Sequence, residues 1–423
     1  MKRIFPFVLL TAYFFIFLIP ELTSFYISYD RKIPQFMILS LLNIISFAYL
    51  VRLGLVFNTL KNIITKKTII CYSGFILICF ISILFAENTN EATVITSQYL
   101  TYLICFISIY SLADLTSNTF IKFFIILASV SAFIESGAIL YNAIDLVWIQ
   151  NNDQAGRDNF LLRGFAGNIN INANSIAIKL LVVYYVLYKS RKMHFVIFSL
   201  ITIILAYTSL FILLSRTAFL SVFLTTFMFL VWMGKTYLRK SLMLILLMAI
   251  SFLFVQTSFN SQNSNEIRDR ISSITYNDED DSVNERLRYY SHAFKSISVN
   301  PIFGIGIGNW KLKSIDYDSK DIDGYTVPYH AHNDFLQIAA EIGIIGFIFY
   351  LLIFLIPIFN LIKKILKRNL SDFELIIFLM ITSYLIDSSL NFPIARPISH
   401  LFIIFTSVTY ILLHNNNQLD EVV

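Results

Sequence analysis

The sequence predicts an all-α membrane protein, a polytopic bundle of about twelve transmembrane helices. Hydrophobic residues make up 57% of the 423 residues and charged residues only 14%, roughly half the charged share of soluble proteins. The mean hydropathy is +0.70. Runs of about 20 apolar residues, long enough to cross a bilayer as a helix, recur from end to end. We therefore predict one transmembrane domain over residues 1–423 rather than several soluble domains.

Each predicted span is an apolar run bounded by polar residues. The first run, MKRIFPFVLLTAYFFIFLIP, resembles a signal peptide but lacks a small-residue cleavage site, so we interpret it as the first helix. The predicted spans begin near Ile4, Pro34, Thr68, Ala92, Phe120, Asn172, Met193, Thr217, Lys240, Asn333, Asp372 and Pro397.

Lysines and arginines alternate between the two sides of these spans. Most lie in connections on one side, at residues 2–3, 61–67, 122, 189–192, 235–240 and 363–368. The positive-inside rule places these connections and both termini in the cytoplasm. Residues 257–331 then form one large loop on the opposite face, where neither ATP nor nucleotide sugars are available. The net charge of +5 thus reflects orientation and does not predict nucleic-acid binding.

Three arginines of the predicted outer face are candidates to bind a phosphorylated substrate: Arg163, Arg216 and Arg286. Arg216 lies between two long apolar runs, and an arginine so near hydrocarbon usually has a partner. A diphosphate is a natural partner because the guanidinium fork matches phosphate oxygens. The alternative is an arginine that snorkels at a helix end.

His332 is the candidate general base, because a neutral imidazole can take a proton from a sugar hydroxyl near neutral pH. It stands where the long loop meets the next apolar run. Asn333, Gln337 and Glu341 follow at four-residue spacing and predict a polar stripe on that helix. The alternative is a structural histidine in front of a capped helix.

Two small residues, Gly343 and Gly346, lie further along the same predicted helix. Without a Cβ, they would let a neighbouring helix approach closely. The earlier segment NPIFGIGIGNW invites a phosphate-loop interpretation but lacks the strand, the helix and the lysine of such loops. A turn with two isoleucines that dip into the membrane interface is the favoured alternative.

Two acidic pairs in the long loop, Asp316 with Asp318 and Asp321 with Asp323, resemble ligands for a divalent metal. Such pairs are common in acidic loops, and we predict neither a metal site nor a cofactor. The three cysteines lie in apolar runs and indicate neither a disulfide framework nor a metal site.

Four segments together resemble the O-antigen ligase and polymerase superfamily of bacterial envelope glycosyltransferases. They read RGFAGNININANSIA, LLSRTAFLSVFL, ERLRYYSHAFKSISVNPIFGIGIGNW and HAHNDFLQIAAEIGIIGFIFYLLIF, and they cover roughly Arg163 to Ile353. The last segment matches the ligase pattern of His, then Asn, Ser or Gln, nine residues, Gly, two residues, and Gly.

The resemblance implies a GT-C-like, metal-independent and inverting glycosyltransferase of the bacterial inner membrane. Its donor would be a glycan on undecaprenyl diphosphate, and its acceptor lipid A–core or another hydroxyl at the periplasmic face. By motif position His332 is the base, Arg216 belongs to the Ser-Arg motif, and Arg163 to the upstream loop. Arg286 precedes the Asn-Pro-x-x-Gly-x-Gly segment, with Arg288 as the open alternative.

Other functions remain open at this point. A polymerase of O-antigen repeat units or a protein O-oligosaccharyltransferase would belong to the same superfamily. A transporter of lipid-linked sugars is the alternative from a different class, and it should show internal repeats and charges deep in many spans. Here the polar groups gather at one face instead; the main exceptions are Arg52, Glu135, Lys179, Glu341 and Asp387.

Overall fold

The computed structural model describes residues 4–19, 32–149, 160–259, 281–318 and 328–415. Within these ranges the chain is helical and contains no strand, which confirms the predicted all-α class. The helices are α1 (Phe5–Phe14), α2 (Ile33–Arg52), α3 (Val56–Ile64), α4 (Lys67–Ser82), α5 (Thr89–Asp114), α6 (Ser117–Ile144), α7 (Ile169–Lys189), α8 (Met193–Leu213), α9 (Arg216–Met233), α10 (Leu238–Ser258), α11 (Asp281–Val299), α12 (Trp310–Asp318), α13 (Asp334–Leu366), α14 (Asp372–Leu390) and α15 (Pro397–Asn415).

Eleven helices of the described chain are long and apolar enough to cross a membrane. They correspond to the second to the twelfth predicted spans, so the protein is a multi-pass membrane protein. The first predicted span is shorter than expected. Its helix Phe5–Phe14 has 10 residues and is followed by a 3₁₀ turn at Ile16–Leu18.

Helix α7 forms the centre of the bundle. Every residue from Ile171 to Tyr188 is buried, including the polar side chains of Asn172 and Asn174. It packs against α6, α8, α9 and α14. Its only charged residue in this stretch, Lys179, forms a buried ion pair with Glu135 of α6, so these two buried charges neutralise each other.

Basic side chains gather at one end of the bundle. There Lys189 pairs with Asp372, and Lys364 pairs with Glu374. Lys240 donates to the carbonyl oxygens at the end of α7, 2.9 and 2.8 Å away. These contacts join connections that the charge pattern assigned to the same side of the membrane.

The opposite end holds the start of α7, α9, α13 and α15 and the end of α14. Asn174 of α7 and Asn391, just after α14, both donate to the hydroxyl of Thr217 in the first turn of α9, at 2.9 and 3.1 Å. The amide of Ile394 donates to the carboxylate of Asp334 at 3.1 Å. Helix α11, from the long loop, packs back onto α13 at this end.

Candidate functional site

His332 lies directly before the first turn of α13. Asn333 caps that helix, because its side-chain oxygen accepts a 3.0 Å hydrogen bond from the amide of Leu336. His332 itself has φ of 54°, a left-handed conformation that is uncommon for residues other than glycine. The backbone therefore turns sharply at His332, where the loop meets the helix.

Aromatic side chains from two distant segments fix the orientation of the His332 ring. Tyr289 of α11 stacks on it with 6.4 Å between ring centroids. Phe392, which follows α14, meets it edge-on at 5.1 Å. The hydroxyl of Tyr290 also donates to the His332 carbonyl oxygen at 3.4 Å. Helix α11 and the connection after α14 thus hold the residue from both sides.

The surroundings of His332 favour its neutral form. Burial, and then the positive charge of the Arg286 guanidinium, lower the pKa of His332 to about 4. Its Nδ1 is buried and makes no hydrogen bond with the residues that the structure describes. At neutral pH the side chain is therefore an unprotonated imidazole, the form that a general base requires.

Arg286 is the predicted arginine that the fold brings to His332. It lies half-buried one turn before Tyr290 on α11, and its charge opposes the burial that raises the pKa of Tyr290. Arg288 is held differently: its Nε lies 3.5 Å from Asp318 of α12, and its guanidinium lies over the Tyr289 ring. Arg286 and Arg288, the two candidates for the functional loop arginine, thus lie in different surroundings.

Arg216 is the first residue of α9 and is half-buried. The chain reaches it through Leu214, whose φ of 47° reverses the direction after α8. The next residue, Thr217, is bonded to Asn391, and Asn391 precedes Phe392, which contacts His332. A short series of contacts therefore places the Arg216 turn at the same end of the bundle as the candidate base.

Arg163 lies in the 3₁₀ helix Phe160–Ala166 and, unlike Arg216 and Arg286, is exposed. Gly164 beside it has φ of 56°, and a Cβ there would lie 2.5 Å from the side chain of Asn172. This segment joins the same end through Arg396, whose Nη1 donates to the carbonyl oxygen of Ala166 at 3.2 Å. Arg157, in the same predicted loop, is outside the described residues.

The fold brings three further residues to this site. Arg396 lies over the ring of Phe392, and His330 stacks on the same ring at 4.2 Å. Burial, followed by the charges of Lys32 and Arg396, lowers the pKa of His330 well below its usual value. The sequence contains one indication that Arg396 belongs to this site: like Arg216, it stands in a short connection between two apolar runs.

The predicted polar stripe on α13 joins the His332 loop to the glycine-rich turn. Gln337 accepts a 3.1 Å hydrogen bond from the amide of Ala331 and donates to Glu341 at 3.1 Å. Glu341 in turn accepts from the amide of Trp310 at 3.3 Å. The stripe is therefore satisfied internally, which lets polar groups enter the bundle without unpaired atoms.

The glycine-rich turn is a structural element and not a phosphate loop. The amides of Ile305 and Gly306 donate to carbonyl oxygens of α13 at 3.0 and 2.9 Å, and the amide of Ile307 donates to Ser82 at 3.2 Å. Both isoleucines are buried. These amides are already used within the protein, and the two isoleucines pack inside it instead of dipping into the membrane interface as predicted.

Gly343 lies where this turn meets α13. It kinks the helix with φ of 71°, and a Cβ there would lie only 2.0 Å from the carbonyl oxygen of Ile302. Gly346 contacts a neighbouring helix as predicted, since its Cβ would lie 3.1 Å from Ile78 of α4. The close approach at Gly343 is to a loop and not to a helix, which corrects the sequence interpretation.

We predict that Gly343→Ala destabilises the protein far more than Gly54→Ala. Both glycines have positive φ, but a Cβ at Gly54 meets nothing within 4 Å. Gly54→Ala should therefore cost only backbone strain, about 1–2 kcal/mol, whereas Gly343→Ala adds an overpacking cost of about 1–3 kcal/mol. Thermal unfolding of the purified variants measures the difference. Equal melting temperatures would contradict the close packing at Gly343.

Of the two acidic pairs in the long loop, the structure describes Asp316 and Asp318, and both have partners within the loop. Asp318 contacts Nε2 of His292 at 3.3 Å as well as Arg288, and Asp316 pairs with Lys313 at 3.3 Å. Asp318 thus joins α11 to α12. Asp321 and Asp323 lie outside the described residues.

Part of the chain matches a known protein family. Residues 200–351 match the family model described as O-antigen ligase. The resemblance to the O-antigen ligase family is confirmed. The match includes Arg216, Arg286, His332 and Gly343, whereas Arg163 lies outside it.

Individual relatives are distant. A protein of Rickettsia conorii, by name a polysaccharide ligase, is 30% identical over 117 residues, 27% of this chain and 28% of that protein. A protein of the same name from Rickettsia typhi is 29% identical over 117 residues, with the same coverage. A Haemophilus influenzae protein without an assigned function is 27% identical over 167 residues, 39% of this chain and 37% of that protein. The matched segment therefore spans less than a third of each Rickettsia relative.

Proposed function

We propose that this protein is an O-antigen ligase-type glycosyltransferase. It moves a glycan from undecaprenyl diphosphate to lipid A–core at the periplasmic face of the bacterial inner membrane. The observation that carries the proposal is the neutral His332 beside Arg286, at the end of the bundle where the Arg216 turn also lies. An imidazole base and guanidinium groups are the two kinds of side chain that this transfer requires.

The chemistry follows from the charges. The acceptor hydroxyl attacks the anomeric carbon as the bond to the lipid diphosphate breaks, and His332 takes the hydroxyl proton. The leaving diphosphate carries the negative charge that develops, and Arg216, Arg286 and Arg163 stabilise it through charge-assisted hydrogen bonds. Attack from the face opposite the leaving group inverts the anomeric configuration. The donor is already activated, so the reaction requires neither a nucleotide nor a cofactor.

The proposed orientation places the active site in the periplasm and both termini in the cytoplasm. It is supported by the lysine contacts at the opposite end of the bundle, since positively charged connections stay in the cytoplasm. Of the two loop arginines, we assign the diphosphate contact to Arg286, because its charge acts on the candidate base His332.

The test of this function is reconstituted transfer followed by analysis of the product. Purified protein is mixed with an undecaprenyl-diphosphate-linked glycan and lipid A–core in the presence of EDTA, since we propose that no metal takes part. Glycan attached to the core supports a ligase. Transfer only to another lipid-linked unit indicates a polymerase, transfer only to a protein hydroxyl indicates a protein-directed enzyme, and a divalent-ion requirement contradicts metal independence.

The pH dependence of kcat/KM should report the lowered pKa of His332. The free enzyme holds the imidazole unprotonated down to about pH 4, so transfer should persist at pH 5 and fall as the pH passes through about 4. Removing the neighbouring charge with Arg286→Gln should raise this pKa and move the acidic limb to higher pH, whatever the variant's maximal rate. An acidic limb near pH 6.5 in the wild-type protein would contradict the geometry.

A further inference from the structure

A cavity lies at the end of the bundle opposite His332. It has a volume of about 730 Å³ and lies between α6, the end of α7 and the start of α8. Its wall is mostly apolar and is formed by Ile125, Ile126, Val130, Val186, Phe195 and Phe198. Ile126 is 50% exposed, so the cavity is a cleft in the side of the helix bundle.

Basic side chains surround the mouth of this cleft. Lys122 stands near the start of α6, and Arg191 and Lys192 occupy the short connection between α7 and α8; all three are exposed. Among the residues that the structure describes, no carboxylate lines the cleft, and none lies within ion-pair distance of the three. The mouth therefore presents positive charge to an anion.

One buried polar group also faces the cleft. Ser129 lies two helical turns along α6 from Lys122, is 4% exposed, and lines the cavity wall. Its hydroxyl makes no hydrogen bond with any residue that the structure describes. A buried hydroxyl without a partner costs free energy, and a bound molecule with an acceptor at this depth would satisfy it.

We propose that this cleft binds an anionic membrane phospholipid. The phosphate contacts Lys122, Arg191 and Lys192, an ester oxygen accepts from Ser129, and an acyl chain lies against the apolar wall. Free phosphate does not fit this description because most of the wall is apolar. Basic pockets between transmembrane helices are suited to anionic head groups. The site lies away from the candidate active site, so this binding is independent of the proposed transfer reaction.

Native mass spectrometry of the delipidated full-length protein tests the proposal. Phosphatidylglycerol and phosphatidylcholine of identical acyl composition are titrated separately. The wild-type protein should bind one phosphatidylglycerol at least about tenfold more tightly than phosphatidylcholine. The triple variant Lys122→Gln/Arg191→Gln/Lys192→Gln should lose this preference.

A matched control keeps the same change in net charge. Lys61→Gln/Lys235→Gln/Arg239→Gln removes three exposed cations at the same end, outside the cleft, and should bind phosphatidylglycerol like the wild type. Val130→Trp fills the cleft, keeps every charge, and should weaken binding of both lipids. Equal binding of the two lipids by the wild type, or unchanged binding by the triple variant, would overturn the anionic site. Unchanged binding by Val130→Trp would overturn the acyl-chain contact.

Discussion

Replacing His332 with asparagine should reduce the rate of glycan transfer by about 10²–10⁴-fold, the usual contribution of a general base. Asparagine tolerates the left-handed backbone found at this position, with φ of 54°, so the variant removes the base without straining the loop. His332→Ala should lose as much activity and, in addition, some stability. The measurement is the initial rate of transfer by purified protein at saturating donor and acceptor.

The control for this prediction is His414→Ala, because His414 is exposed near the end of α15, far from the candidate site. That variant should transfer glycan at the wild-type rate. A folded His332→Asn protein with wild-type activity would remove the imidazole from the mechanism, while the proposed diphosphate site could still be tested separately.

Arg216→Ala should weaken use of the donor by about 10- to 150-fold in kcat/KM, since a hydrogen bond to a charged group contributes about 1.5–3 kcal/mol. Arg216→Lys should fall between alanine and the wild type, because lysine keeps the charge but lacks the fork that contacts two phosphate oxygens. The measurement is kcat/KM for the lipid-linked donor at fixed acceptor concentration.

Arg239→Ala provides the matched control for Arg216. Arg239 is exposed in the first turn of α10, at the opposite end of the bundle. Its removal should leave kcat/KM unchanged. If Arg216→Ala and Arg216→Lys lost stability equally and kept donor affinity, Arg216 would be a structural residue at a helix start, the alternative that its spacing in the sequence allows.

Local features of the fold were predictable because their causes are local. A bilayer-spanning helix requires about 20 apolar residues, and this requirement located eleven of the predicted spans. Asn333 was predicted to begin a polar stripe, and the structure shows it capping α13.

The candidate site was predictable only as residue types on one face of the membrane. Arg286 and Arg288 are two positions apart on a helix, and side chains at that spacing point in different directions. Which of them faces His332 depends on how α11 packs. Asp318 of helix α12 pairs with Arg288, and the sequence contains no periodic signal for that contact. The packing of the glycine-rich turn is a second contact that the sequence does not predict, because the part of α13 around Gly343 that it contacts lies about forty residues further along the chain.

Hydropathy and charge in the sequence by themselves determined an all-helical membrane protein with its polar groups gathered at one face. They could do so because each helix must satisfy its own backbone in lipid, whatever its neighbours are. Only the tertiary structure decided that Tyr289 and Phe392 enclose His332 and that Arg286 helps keep it neutral. These contacts join segments up to about a hundred residues apart, and helix packing, not local propensity, brings such segments together.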